Sequence, residues 1–111
     1  MAIRTLAIAL ACASLAACPA PGEGRNFELA RAKAEPLVVA IEAYHADHQR
    51  YPRSLDALVP KYLAASAIDA RYVYESTDPQ DYRFAFKYGG PGINTCSRDS
   101  LNVAWECSGH Y

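Results

Sequence analysis

Two histidines and an aspartate lie close together near the end of a helical pattern. His45 and His48 are three positions apart with Asp47 beside them, so the two imidazoles share one face of a helix. Such a pair can hold zinc or another transition metal. Both positions also belong to the apolar face of the helix, near its negative end, where a histidine more often packs or bonds to free carbonyl groups. We therefore predict no metal here, and we expect His48 to be a buried, pH-sensitive group.

A second group of acidic side chains lies in a predicted turn. Glu75, Asp78 and Asp81 offer the oxygens that calcium prefers, but their spacing lacks the donor pattern of a known calcium loop, so we interpret the segment as a solvated turn. The sequence contains no Gly-x-Ser-x-Gly, P-loop or zinc-protease motif. A chain of this size also leaves little room for a substrate pocket of several hundred Å³. The sequence therefore predicts neither an enzyme nor a cofactor.

The first 18 residues have the pattern of a targeting sequence. Arg4 gives a positive start, and residues 6–15 form an apolar stretch that is too short to span a bilayer. The stretch ends in LAAC at residues 15–18, which resembles the bacterial lipobox. This resemblance implies lipid attachment to the Cys18 thiol, cleavage before Cys18 and acylation of the new amino terminus. The alternative is an ordinary secretory signal that is cleaved at a small-residue site near residues 11–13.

Cleavage before Cys18 would divide the chain into a signal peptide at 1–17, a lipidated Pro/Gly linker at 18–25 and one domain at 26–111. The mature chain would then have 94 residues, and without Arg4 its ten basic residues face 12 acidic ones, a net charge of −2. This balance argues against nucleic acid and against electrostatic docking to anionic lipid. We expect the acyl chains to anchor the domain to the inner or outer membrane of a bacterial cell envelope.

Cys96 and Cys107 remain as a pair once Cys12 leaves with the signal peptide and Cys18 carries lipid. In an oxidising compartment this pair predicts a disulfide, which should stabilise a small domain by about 3 kcal/mol. Zinc is disfavoured because the chain has neither a Cys-x-x-Cys spacing nor a second pair. A reactive thiol would need a nearby base, which the sequence cannot show.

A long helix over residues 26–52 must position most of these groups. Its apolar residues fall within one arc of about 120° on a helical wheel, and this arc contains Ala30, Ala34, Leu37, Val38, Ile41, Tyr44, His45 and His48. Asn26 is the predicted N-cap, since its side-chain oxygen can accept a bond from a free amide. Pro36 predicts a kink near residues 32–36, and a helix that starts at Pro36 is the alternative.

The rest of this helix surface is predicted to be polar. The residues outside the arc include Arg31, Glu35, Glu42, Ala46, Asp47 and Arg50. Pro52 ends the helix, and residues 54–63 predict a short second helix that Ser54 caps and Pro60 stops.

From residue 71 the side chains alternate with a period of two, which indicates strands. Residues 71–75 and 82–88 predict a hairpin around the Asp-Pro turn, and residues 102–107 predict a later strand that faces residues 93–97. Residues 108–111 are expected to fray. The aromatic side chains should cover the helix rather than bind a glycan or a partner; they are Tyr72, Tyr74, Tyr82, Phe84, Phe86, Tyr88 and Trp105. We predict an α+β fold, with one long N-terminal α-helix packed on a three- to four-stranded antiparallel β-sheet.

Residues 44–63 resemble the segment that follows the long helix in type IV pilin-like proteins, particularly the major pseudopilins of type II secretion. The family pattern is Tyr-x-x-Asp-x-Gly-x-Tyr-Pro followed by Ser-Leu-x-x-Leu, and it is matched by Tyr44, Asp47, Tyr51, Pro52, Ser54, Leu55 and Leu58. Gln49 stands where the family has glycine. The chain lacks the family's peptidase site and its long apolar helical half, so the resemblance implies the soluble pilin-like domain and not a filament.

Two functions follow as hypotheses. The first is a lipid-anchored envelope protein with a non-catalytic role in docking to a secretion or pilus-type assembly. Its partner surface would be the polar helix face or the loops around residues 76–81 and 89–101. The second is a small envelope ligand-binding or inhibitor module that is unrelated to secretion.

Overall fold

A long helix and a four-stranded antiparallel sheet make up the fold, which confirms the predicted α+β architecture. The structure is a computed structural model, and it describes residues 20–90 and 92–110. Its elements are helix α1 (Gly24–His48), two 3₁₀ helices (Leu55–Leu58 and Ala65–Ala67) and strands β1 (Val73–Glu75), β2 (Arg83–Gly89), β3 (Ile93–Asp99) and β4 (Glu106–His110). No helix in this part of the chain is both long and apolar enough to cross a membrane.

The strands follow one another in chain order across the sheet, and each is antiparallel to its neighbours. Tyr74 of β1 pairs with Phe84 of β2, and Phe86 of β2 pairs with Cys96 of β3. Cys96 in turn lies opposite Cys107 of β4. The central position of β2 explains why its side chains make up so much of the core.

The core lies between α1 and β2. The largest fully buried side chains include Tyr82, Phe84 and Phe86 from the sheet segment and Leu37 and Ile41 from the helix. The predicted helix arc is confirmed at its centre, because four of its members are buried, namely Ala34, Leu37, Val38 and Ile41. Burying large aromatic and branched side chains in this way is the main source of stability for so small a domain.

The predicted start of α1 is wrong. The helix begins at Gly24, and Glu23 occupies the cap position without a side-chain bond. Asn26 instead donates from Nδ2 to the Gly89 carbonyl oxygen at 2.9 Å, so it joins the helix to the end of β2. Pro36 lies within one continuous helix, which excludes a start at that residue. The kink near residues 32–36 stays a prediction.

The second predicted helix is also much shorter than expected. Only Leu55–Leu58 is helical, as a four-residue 3₁₀ turn, and the side chain of Ser54 makes no cap bond. Val59 already has an extended backbone with ψ 137°, because a residue that precedes a proline avoids helical geometry. The turn still serves the core, since it buries Leu55 and Leu58.

The last strand lies later in the chain than its alternation predicts. β4 begins at Glu106, and the residues before it form a loop held by side-chain oxygens. Asp99 Oδ1 accepts the amides of Leu101 and Asn102, at 2.9 and 2.7 Å, and Asn102 Oδ1 accepts the amide of Ala104. These local bonds compete with strand pairing and explain the wrong prediction for residues 102–105.

The predicted fraying is wrong for residues 108–110, and Tyr111 lies outside the described residues. Ser108 pairs with Thr95 and Gly109 with Asn94, so β4 continues up to His110.

Candidate functional site

The two histidines do not share a common site. The ring of His45 stacks on the ring of Tyr51 with centroids 4.1 Å apart, and its Nε2 lies 3.4 Å from Gln80 Oε1. Among the residues that the structure describes, no group of three or more His, Cys, Asp or Glu side chains could hold a metal ion. His45 therefore serves as a packing contact between the end of α1 and the β1–β2 turn.

His48 is exposed, so the prediction that it is buried is wrong. Its ring lies 4.1 Å from the ring of Tyr44 between centroids, and its Nε2 lies 3.4 Å from the Tyr62 hydroxyl. The Tyr62 hydroxyl donates to Asp47 Oδ2 at 2.6 Å, with Lys61 Nζ at 3.7 Å from the same oxygen. The hydroxyl bond lowers the pKa of Asp47 and raises the pKa of Tyr62. This is a surface polar cluster that fixes the last helical turn.

The acidic residues of the β1–β2 turn build the turn itself. Asp78 Oδ1 accepts the amide of Gln80 at 2.8 Å, and Asp81 Oδ1 accepts the amide of Tyr82 at 2.8 Å. Asp78 and Asp81 are exposed, as is Glu75. This arrangement agrees with a solvated turn, because each of the two aspartates accepts a hydrogen bond from a nearby backbone amide.

The Cys96–Cys107 disulfide is present and joins β3 to β4. Cys96 is fully buried, and Gly22 packs so closely on Cys107 that a Cβ at Gly22 would lie 3.3 Å from the sulfur. The Gly22 amide donates to the Tyr88 hydroxyl at 2.9 Å, which holds this approach in place. The prediction of a structural disulfide is therefore confirmed. Cys18 lies outside the described residues, so lipid attachment to it stays a prediction.

The side of α1 that faces away from the sheet carries an apolar stripe. Its members alternate in steps of three and four residues, which places them within an arc of about 100°. We call this set the outer stripe, and it consists of Leu29, Ala32, Pro36, Val39, Ala43 and Ala46, all of which are exposed. Leu29 and Val39 keep 54% and 67% of their surface in solvent. The predicted polar helix face is thus wrong at its centre, where the surface is apolar.

Acidic residues border the outer stripe on one side. Glu28, Glu35 and Glu42 are seven residues apart, so they follow the same border along the helix. Arg31 bonds to Glu28 at 2.7 Å and to Glu35 at 3.4 Å. Glu42 has no ion pair or hydrogen bond within the described ranges. The Trp105 indole N–H also donates to Glu35 Oε2 at 3.0 Å. Three carboxylates against one guanidinium leave this border with a negative charge.

Of the two loops that were predicted as alternative partner surfaces, the second differs from the expectation. Residues 76–81 form a turn, but residues 89–101 contain all of β3, which is followed by a second loop at residues 100–105. In the loop at residues 100–105, Leu101 and Val103 are 91% and 71% exposed. These two exposed apolar side chains give the loop a surface that could contact a partner.

Comparison of this chain with models of protein families, with curated proteins and with solved structures finds no match. The resemblance to pilin-like proteins therefore rests on residues 44–63 alone. Four of its matched positions are buried, namely Tyr51, Pro52, Leu55 and Leu58. Packing of this helix–sheet domain by itself accounts for apolar residues at those positions. What the structure shows is a small α+β domain with one helix on a four-stranded antiparallel sheet.

Proposed function

We propose that this protein is a lipid-anchored envelope protein whose domain docks, without catalysis, onto a secretion or pilus-type assembly. The outer stripe is the observation that carries the proposal. It offers six exposed apolar positions at the spacing with which one helix packs against another. Alanine dominates the stripe, and small side chains allow a second helix to approach closely. Contiguous apolar surface on a small protein marks an interaction site.

The acidic border indicates what kind of helix would dock. In an antiparallel pair of two copies, Glu28 would face Glu42 of the other copy and Glu35 would face its own equivalent, which costs free energy. A different protein whose helix carries small apolar residues and a lysine- or arginine-rich border would complement both features. The proposal is therefore a hetero-complex with such a helix.

The predicted anchor supports docking at a membrane. Five residues lie between Cys18 and Gly24, the first residue of α1, so six Cα–Cα steps join the two. A chain of that length spans at most about 20 Å. A lipid on Cys18 would therefore keep the start of α1, where the outer stripe begins, close to the bilayer surface, where envelope assemblies are embedded.

Site-specific photocrosslinking in cells tests the docking surface. A photoreactive residue at Val39 or Ala43 should give adducts with components of an envelope assembly, identified by mass spectrometry. Ser66 is a matched control because it is exposed but lies on the second 3₁₀ helix, away from α1. Equal adducts from Val39 and Ser66, or adducts with one unrelated protein only, would overturn the assembly role and favour the ligand-binding or inhibitor module.

Metabolic labelling with a fatty acid tests the anchor. The wild-type chain should incorporate label, and Cys18→Ala should lose it. Cys12→Ala is the matched control, since Cys12 precedes the cleavage position and should not affect labelling. Label that persists in Cys18→Ala would show that the lipobox interpretation is wrong.

A further inference from the structure

A cleft lies between the segment that leaves α1 and the β1–β2 turn, apart from the outer stripe. It has a volume of about 310 Å³ and is lined by Arg50, Tyr51, Arg53, Ser76, Thr77 and Pro79. This volume is at the lower end of the range for sites that bind small organic molecules. We propose that the cleft binds a phosphate monoester, with the phosphate held by the two arginines.

Hydrogen bonds between its two walls hold the cleft in shape. The Tyr51 amide donates to the Pro79 carbonyl oxygen at 2.7 Å, and Gln80 Nε2 donates to the Gln49 carbonyl oxygen at 2.9 Å. Tyr51 itself is buried, so one wall is anchored in the core. A ligand would meet a preformed site and would lose little free energy in ordering it.

Both arginines of the cleft lack an acidic partner. Arg50 and Arg53 are exposed and make no ion pair or hydrogen bond in the described part of the chain. Arg31 and Arg71, by contrast, each bond to carboxylates within 3 Å. Asp78 lies in the adjacent turn, but its carboxylate accepts the Gln80 amide and does not line the cleft. Two cationic groups therefore face one cavity without compensation, in a chain whose net charge is −1.

The charge and shape of the guanidinium groups favour phosphate as the anion. A phosphate monoester carries about two negative charges at neutral pH, which matches two arginines. Guanidinium groups bind phosphate through paired N–H bonds, and they stay charged at every pH of interest. Burial raises the pKa of the Tyr51 phenol, so this side chain adds no negative charge of its own.

Neutral groups complete the site. The Ser76 hydroxyl is already used, because it donates to the carbonyl oxygens of Asp78 and Asp81. The Thr77 hydroxyl has no partner within residues 20–90 and 92–110, so it remains available to a polar group on the organic part of the ligand. The rings of Tyr51 and Pro79 supply an apolar surface for the organic part of the ligand.

A neighbouring depression sets the orientation of the ligand. It shares Thr77 with the cleft but is otherwise lined by residues that include Glu75, Asp81 and Asp99. These carboxylates would repel a phosphate group. We therefore place the phosphate at the arginine end and the organic part towards Pro79.

Titration of the folded chain with glycerol 3-phosphate, followed by amide NMR, tests the proposal. Saturable shifts should appear at the amides of Arg50, Tyr51 and Arg53 and at those of residues 76–78. Arg50→Gln and Arg53→Gln should each weaken binding by about tenfold or more, because each removes a charge-assisted bond to the phosphate. Arg25→Gln is the matched control, since it removes the same charge from an exposed position on the first turn of α1. All three arginines are exposed, so the variants should fold as the wild type does.

Two further probes identify the source of the phosphate group. Vesicles that contain phosphatidic acid, a lipid whose headgroup is itself a phosphate monoester, should bind in place of glycerol 3-phosphate if the ligand is a lipid headgroup, and this binding should also be lost in Arg53→Gln. Inorganic phosphate should bind more weakly than the ester if the rings contribute. The proposal is overturned if no phosphate source gives saturable shifts, or if Arg25→Gln weakens binding as much as Arg53→Gln.

Discussion

The inner and outer faces of α1 are both apolar, but only the inner face is covered within the domain. Leu37 and Ile41 on the inner face are fully buried beneath the sheet, whereas Leu29 and Val39 on the outer face are more than half exposed. The residues of the two faces are interleaved along the same 25-residue helix. The difference shows that one helix can bury one apolar face in the core of its own domain and still leave a second apolar face exposed for a partner.

The outer face differs from the inner one in side-chain size as well as in burial. Four of its six positions are alanine or proline, and its acidic border is partly neutralised by Arg31. A face of small side chains exposes little apolar area to water and tolerates the absence of a partner. The outer face is therefore compatible with a free domain as well as with the proposed complex.

The largest expected effect separates the two faces directly. Leu37→Ala removes a fully buried side chain and should lower the free energy of unfolding by about 4 kcal/mol. Val39→Ala, two residues away and exposed, should change it by less than about 0.5 kcal/mol. Urea denaturation of both variants measures the contrast. If the two variants lost similar amounts of unfolding free energy, the outer face would also be needed for folding. That result would contradict the distinction between the two faces.

The next effect concerns the sheet that covers the inner face. Replacing both cysteines in Cys96→Ala/Cys107→Ala should cost about 3 kcal/mol, since the disulfide constrains the unfolded chain and Cys96 belongs to the core cluster. Unfolding of the wild type with and without a reducing agent provides an independent measure. Reduction should lower the free energy of unfolding of Val39→Ala by the same amount as that of the wild type. A different decrease would show that the outer face and the sheet are energetically coupled.

A smaller effect lies on the border between the two faces. Glu35→Ala removes the acceptor of the Trp105 indole N–H and should cost about 1 kcal/mol. Glu42→Ala removes a glutamate from the same border that has no hydrogen bond to the described residues, and it should be close to neutral. Trp105 is the chain's single tryptophan, so its fluorescence reports on this contact. An unchanged emission in Glu35→Ala would contradict the hydrogen bond.

The smallest effect should come from an exposed ion pair that belongs to neither face. Hydrogen bonds from Arg71 lower the pKa of Asp69 from its ordinary 3.8 to about 2. A lowered pKa in the folded state means that the pair stabilises the fold above pH 3.8 and that this contribution fades as the pH falls towards 2. A carboxyl NMR titration should give a pKa near 2 for Asp69, and a higher one in Arg71→Ala. Equal values in both chains would remove Arg71 as the cause.

The sequence predicts those parts of the fold in which local pattern and global packing agree. The alternation of Phe84, Phe86 and Tyr88 placed β2 correctly, and the pair Cys96 and Cys107 predicted the disulfide. The predictions failed where side chains bond to the backbone over a short range. Asp99 and Asn102 hold a loop in place of a strand, and Asn26 reaches Gly89 rather than capping the helix.

The candidate surfaces were harder to predict than the fold. The spacing of the outer stripe is visible in the sequence. Alanines on a helix occur both on faces exposed to solvent and on faces that contact another element, so the pattern alone does not show which kind of face the stripe is. The cleft was beyond sequence analysis, because Arg50 and Arg53 meet Ser76 and Thr77 only after the chain has folded. No local periodicity connects residues that are more than 20 positions apart.

The disulfide has a further consequence for the lifetime of the protein. It encloses the loop at residues 100–105, where Leu101 is 91% exposed and therefore accessible to proteases. A single cut there would leave β4 covalently attached to β3 through the sulfur atoms. The nicked molecule would run as one band on a non-reducing gel and as two on a reducing gel. After cleavage of this loop, the two fragments would therefore stay joined until the disulfide is reduced.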